Sequence, residues 1–398
     1  MCPDENELVN SYLLKINLKD GKRLMEYLQR FVYLTTGKAD VMFCNAFINE
    51  SIRLLINSIR LYEEGFFDCA FYSVRQAVEC TNNMLYLANS DEAILKSWRL
   101  KEHFPPDNRI KDKLQKIDTS YKEVYSILPS FFDTYEDLLK RANKIIHKQG
   151  FNAFYSFREI YKKKNENTFE EFFEEFLIYA IARTLIMYII LDPLSLALCD
   201  ERLIMKIPFM PMTEPIDIEF FTEFLSKDII DKLKETEFYN EIFYFFNAKE
   251  ELNPETFDVL VNEFYDLDKL HSIELQRHLL NAPERFFLDV LQYGIKIKRF
   301  FNEDSIWGYI TSDYIDKIKM SWHSGEYDSY KKKEPCFNMS KDGLFISSFM
   351  LYDELWLFEH TMILNENEMD WLKQKIAKSN NELKKLYEEI NWDRFIGE

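Results

Sequence analysis

The 398-residue chain carries a net charge of −18 and is 47% hydrophobic and 16% aromatic, enough for a large core, which excludes disorder as its main state. Its 9 glycines are scattered, with neither a GxGxxG nor a P-loop pattern, which argues against Rossmann-type and P-loop phosphate cradles. The six cysteines (Cys2, Cys44, Cys69, Cys80, Cys199, Cys336) have no zinc-ligand spacing. With no secretory signal pattern, they are expected to be reduced thiols in a cytoplasmic protein, with Cys44, Cys69 and Cys80 in apolar helical patterns.

Helical periodicity dominates, so the expected fold is mainly α. Residues 1–37 read as a helical lead-in, over Asn6–Tyr33 with a break near Asp20-Gly21, punctuated by Gly37. Residues 39–64 form one long amphipathic pattern. Gly65 interrupts it, and residues 66–89 form a second, antiparallel to the first because the link is so short. Pro105-Pro106 marks a loop, and basic helical turns follow to Ile127. Pro129-Ser130 starts a third main helix over 131–148, with Gly150 placed to cap its end. Residues 168–191 supply a fourth. Its apolar run Phe176–Leu191 is about 16 residues, interrupted by Arg183, where a membrane span needs about 20. It reads as a buried core helix, with no membrane role, and Glu79 is a candidate partner for Arg183.

These four helices predict a bundle over residues 38–200. Pro193, Pro208, Pro211 and Pro215 mark a boundary near residue 200. Residues 201–398 are expected to form a second, acidic, mostly helical domain. It is helical from Ile216 to about Phe301, with a small mixed segment near 305–350 where short strands fit, and a last helix over Glu366–Ile390. His271, Glu274 and His278 share a helical face there, but the i, i+7 spacing of the histidines spans two turns, too far for one metal ion. His323 is unassigned.

Charge is uneven. Residues 201–398 hold about 24 basic and 39 acidic residues, whereas 95–164 hold about 16 basic and 9 acidic. A local basic stretch can bind a polyanion within an acidic chain, because the attraction is screened beyond about 10 Å. Within it lies DLLKRANKIIHK, Asp137 to Lys148. On a helical wheel Leu138, Leu139, Ala142, Ile145 and Ile146 share one arc, and Lys140, Arg141, Asn143, Lys144, His147 and Lys148 take the other side. Arg141 and His147 stand about 120° apart. An imidazole can take a proton from a 2′-hydroxyl near neutral pH, a guanidinium can hold the phosphate, and lysines can steer the backbone. That chemistry calls for no metal and no cofactor.

The segment RANKIIH, Arg141 to His147, resembles the Arg-x5-His motif of the HEPN superfamily of helical bundles, many of them metal-independent endoribonucleases. FYSVRQAVE, with Ser73, Arg75 and Glu79, resembles the paired helices of that family; the likeness covers about residues 38–200. It implies Arg141 and His147 as catalytic residues, Asn143, Arg75 and Glu79 as supports, and Lys140, Lys144 and Lys148 as RNA contacts. It also implies a homodimer whose two motifs face one cleft, and a phage-defence or toxin–antitoxin setting, with the acidic half meeting a regulatory protein. Where the active nucleases often have a polar residue after the motif Arg, this chain has Ala142. The alternative reading is a non-catalytic scaffold or adaptor that binds RNA or a protein.

Overall fold

The computed structural model describes residues 18–101, 104–209, 211–216, 218–302, 306–310, 327–331 and 334–389. The chain is predominantly helical, with a mixed six-stranded sheet toward its C-terminus. It divides into two compact units, Met1–Ile204 with Pro211–Ala248, and Met205–Met210 with Lys249–Glu398. The proline cluster near residue 200 holds two of the three crossings between the units, and the third follows Ala248. The chain leaves the first unit after Ile204, returns at Pro211 and stays to Ala248.

In the first unit, α1 (Gly21–Phe31) precedes the long helices α2 (Cys44–Glu63) and α3 (Phe67–Ala88). The lead-in before residue 18 lies outside the described residues. On α2 the buried positions Cys44, Phe47, Ile48, Ser51, Ile52, Leu55, Ser58, Ile59 and Tyr62 follow the 3–4 spacing of one helix face. Small hydroxyl residues let α2 and α3 approach. Ser51 donates to the Ala77 carbonyl at 2.9 Å, and Ser73 to that of Leu54 at 2.8 Å. Gly65, with φ +87°, makes the predicted reversal between them.

The short helices α4 (Glu92–Arg99), α5 (Asp107–Ile117) and α6 (Thr119–Ile127) fill the predicted basic stretch. Then comes α7 (Pro129–Ile146), with Pro129 in its first turn where a missing N–H costs nothing. The last long helix, α8 (Tyr155–Leu191), starts earlier than its periodicity predicts. From Ala180 to Leu191 almost every α8 side chain is buried, as expected of a core helix. Among the described residues no helix is long and apolar enough to cross a membrane. Tyr62 stacks on Phe173 with centroids 4.0 Å apart, and Phe71 meets Phe172 and Phe173 at 5.3 and 5.2 Å.

Arg183 of α8 is fully buried, but its partner is not Glu79. Its guanidinium donates to Glu136 and to Asn82, each at 3.4 Å, and lies 4.6 Å from the Tyr135 ring. Glu79 sits elsewhere on α3, held by Arg75. Burial pushes the thiols of Cys44 and Cys80 up to about 12, as for inert core cysteines, whereas Cys69 is exposed against expectation.

Five shorter helices complete this unit: α9 (Leu194–Ala197), α10 (Glu201–Ile204), α11 (Ile218–Phe221), α12 (Lys227–Lys234) and α13 (Glu237–Asn247). Buried Asp192, closing α8, ties the returning segment in. Its Oδ2 accepts from Thr36 at 2.6 Å and from Thr213 at 2.7 Å. Gly37 N–H donates to the Thr213 hydroxyl at 3.0 Å.

The second unit is less helical than the sequence pattern suggests. Helices α14 (Pro254–Asn262), α15 (Leu270–Leu275), α16 (Ala282–Gln292), α17 (Asp328–Lys331) and α18 (Glu366–Glu389) accompany strands β1 (Phe264–Tyr265), β2 (Ile297–Asn302), β3 (Ile306–Ile310), β4 (Met339–Lys341), β5 (Leu344–Leu351) and β6 (Glu354–His360). The sheet order is β1-β3-β2-β6-β5-β4, with only the β1–β3 pair parallel. Strands thus begin well before residue 305, and the helical run expected to reach Phe301 ends in β2. The apolar core holds Phe287 stacked on Phe300 at 3.5 Å, with Trp356 against them. Gly308 lies under the Phe300 ring, where a Cβ would come within 2.5 Å of it.

His271, Glu274 and His278 do not share a helix. α15 ends at Leu275, His278 bonds Glu250 at 2.7 Å, and Glu274 bonds Arg277 at 3.2 Å. His323 lies outside the described residues.

Candidate functional site

The C-terminal turn of α7 presents the motif. His147 is the C-cap residue, its N–H bonded to the Asn143 carbonyl at 2.9 Å and its side chain exposed. Among the described residues the exposed imidazole makes no hydrogen bond. The helix is closed not by Gly150 but by Lys148, whose φ of +54° puts it in the left-handed region. The Gln149 N–H reaches back to Lys144 O at 2.8 Å and the Lys148 N–H to Ile145 O at 3.2 Å, the paired bonds of a Schellman ending. Gly150, φ +95°, turns the chain two residues later.

Lys148 has a second anchor. Its ammonium bonds the Asp68 carboxylate at the start of α3 and lies 3.4 Å from the Ala153 carbonyl. Further down the same seam, Arg75 of α3 donates Nε–H to Glu79 at 2.7 Å and an Nη–H to the Asn143 amide oxygen at 3.2 Å. Asn143, Arg75 and Glu79 are thus brought together. Asp68, Tyr72, Arg75 and Glu79 fall at i, i+4, i+7 and i+11 along one stripe of α3. The two tethers, Asp68 to Lys148 and Arg75 to Asn143, bracket Tyr72 on α3 and His147 at the end of α7.

Arg141 goes elsewhere. Its guanidinium lies 4.0 Å from the Phe172 ring centroid, on the α8 flank of α7. Within one chain the structure therefore leaves the motif Arg and His on opposite flanks. Lys140 is exposed and paired with Asp137 at 2.9 Å, a hydrogen bond that holds its ammonium above its ordinary pKa. Lys144 is exposed. Ala142, on the buried face, packs into the bundle.

The sequence reading missed Asp68 and Tyr72. The signal was present in the four-residue stripe, but only packing against α7 shows what it faces. Chemically, the seam offers one exposed imidazole, an amide held by a guanidinium, and the exposed Lys144 alongside. Among the described residues no group of three or more His, Cys, Asp or Glu side chains could hold a metal ion. No family model, no curated protein and no solved structure matches this chain.

Proposed function

We propose that the first unit is a metal-independent endoribonuclease of the HEPN type. The observation that carries this reading is the solvent-facing imidazole of His147 beside a guanidinium-held amide, Asn143 on Arg75, at the end of a helix lined by Lys140, Arg141 and Lys144. RNA supplies its own nucleophile. His147 takes the proton of a 2′-hydroxyl as its oxygen attacks phosphorus, and the bond from phosphorus to the 5′-oxygen breaks. That oxygen leaves as a hydroxyl, protonated by an imidazolium, and a 2′,3′-cyclic phosphate remains. Arg141 holds the phosphate charge, and because it faces the other flank it serves the imidazole of a second copy in a homodimer. A defence or toxin role, with a regulatory protein at the acidic second half, fits an RNase whose activity must be restrained. The test is cleavage of total RNA in EDTA by the full chain and by His147→Ala. Cutting by the wild type and loss in the variant are expected; undiminished cutting by the variant removes the assignment.

A second reading, a non-catalytic RNA-binding scaffold, is favoured by one observation: Arg141 lies over the Phe172 ring, away from the Asn143–Arg75 tether one turn before His147. Under it the wild type binds RNA with strong salt dependence and leaves it intact.

A further inference from the structure

Aromatic side chains stand exposed around the same seam. Tyr72, midway along the α3 stripe, is 52% exposed although Asp68 and Arg75 on either side of it are tied to α7. Phe151 and Phe154, on the turn directly after the Lys148 cap, are 72% and 42% exposed, their ring centroids 6.1 Å apart. Ala153 between them is buried, and its carbonyl holds Lys148 at 3.4 Å, so this turn is packed onto the helix end. Large rings in water forgo about 25 cal/mol for each Å² of apolar surface left unburied. Lys148 bonds both Asp68, one turn before Tyr72, and the Ala153 carbonyl between the two phenylalanines, so the three rings border one seam together with exposed His147 and Lys144. A protein-binding patch is apolar at its centre with charge depleted there. Rings interleaved with cations instead suit a ligand that alternates planar faces and anionic charge, as a nucleic-acid strand does.

We infer that Tyr72, with Phe151 and Phe154, is a stacking platform for unpaired nucleobases, which makes single-stranded RNA rather than duplex the ligand of this site. This rests on the RNase reading for the scissile position but not for binding. A base in a helix has both faces covered by its neighbours and cannot lie on a ring. An unpaired base can, and each such contact strengthens binding whatever the base. Tyr72 and His147 lie between the same two tethers, so a strand stacked on the ring runs along the seam that carries the imidazole.

The experiment measures binding of a fluorescent 2′-O-methyl RNA single strand, and of the same strand in a duplex, to the full-length protein. Without a 2′-hydroxyl the strand cannot be cut, so binding is read apart from catalysis. The wild type should hold the single strand at least tenfold tighter than the duplex. Tyr72→Ala should weaken single-strand binding about tenfold or more, as loss of one stacked base does, while Tyr72→Phe, which keeps the ring, should bind as the wild type. The same far-ultraviolet circular dichroism and unfolding midpoint across the three proteins attribute the loss to the ring. Equal binding of strand and duplex, unchanged binding by Tyr72→Ala, or no binding of either RNA by the wild type overturns the inference. If cleavable RNA stays intact while the 2′-O-methyl strand still binds through Tyr72, the nuclease reading fails and the platform stands.

Discussion

Arg141 and His147 lie on opposite flanks of α7, the first over the Phe172 ring of α8 and the second one turn beyond Asn143, which is tied to α3. If each active centre draws its arginine from one copy and its histidine from the other, two dead variants should repair each other. Arg141→Ala and His147→Ala proteins should each lack cleavage. After mixing and subunit exchange, half of the dimers would pair the two variants and carry one intact centre of two, giving about a quarter of wild-type activity. Mixed samples as dead as the separate ones would show that the groups do not work across a dimer.

Lys148 keeps a left-handed backbone that glycine adopts without strain, and its ammonium holds Asp68. The two contributions separate in substitution. Lys148→Ala loses the ion pair and keeps the strain, whereas Lys148→Gly loses the ion pair and relieves it. Lys148→Gly should therefore be about 1 kcal/mol more stable than Lys148→Ala by urea unfolding. Equal midpoints would mean that the turn relaxes out of the left-handed region once the side chain is gone.

Buried Arg183 shares Glu136 with Lys111 and caps the Asn82 amide oxygen. Arg183→Ala leaves that amide oxygen without its guanidinium donor and opens a cavity beside Tyr135, while Glu136 keeps Lys111, so it should cost about 2–5 kcal/mol, the range for large-to-small changes in a core. Arg183→Met fills much of that space and should cost less. A chemical denaturation series on the two variants checks the order; a destabilisation below about 1 kcal/mol for Arg183→Ala would mean that the guanidinium is no better paired than a surface cation.

In the second unit, Glu284 closes a capping box at the start of α16, accepting from the Asn281 N–H at 2.7 Å. Burial pushes its carboxyl up from 4.5 to about 7, although the Asn281 N–H opposes the shift. A carboxyl that holds its proton more tightly when folded favours the folded state at low pH. That advantage is lost as pH rises from about 4.5 to about 7, at a cost of about 3 kcal/mol. Glu284→Gln keeps the box, so it should flatten this part of the stability–pH curve and stabilise the protein at pH 8. Parallel curves for the variant and the wild type between pH 4.5 and 8 would contradict this.

The long helices were legible because their apolar residues recur every three or four positions and their ends carry Gly65 and Pro129. The sheet was much less so. β5 is buried on both faces, Phe349 toward one core cluster and Ile346 toward another, so it shows no alternation of apolar and polar residues. The β5–β6 hairpin turns through Tyr352 and Asp353, both with positive φ, where glycine or asparagine would have announced the turn. Asp342-Gly343 between β4 and β5 did carry that signal. At the candidate site, the polar setting of His147 could be read from the wheel. The partners of Lys148, Asn143 and Arg141 could not, because they come from α3 and α8, more than 25 residues away in sequence.

Thr36 and Thr213 clasp one carboxylate, that of Asp192, from opposite ends of the first unit's sequence. A recombinant piece trimmed at the proline cluster would discard Thr213 and leave a shielded carboxylate short of one hydroxyl donor, together with the Phe31 ring that Phe221 and Phe224 now cover. Expression of the isolated N-terminal unit therefore has to run through Ala248, and shorter versions should accumulate as insoluble material.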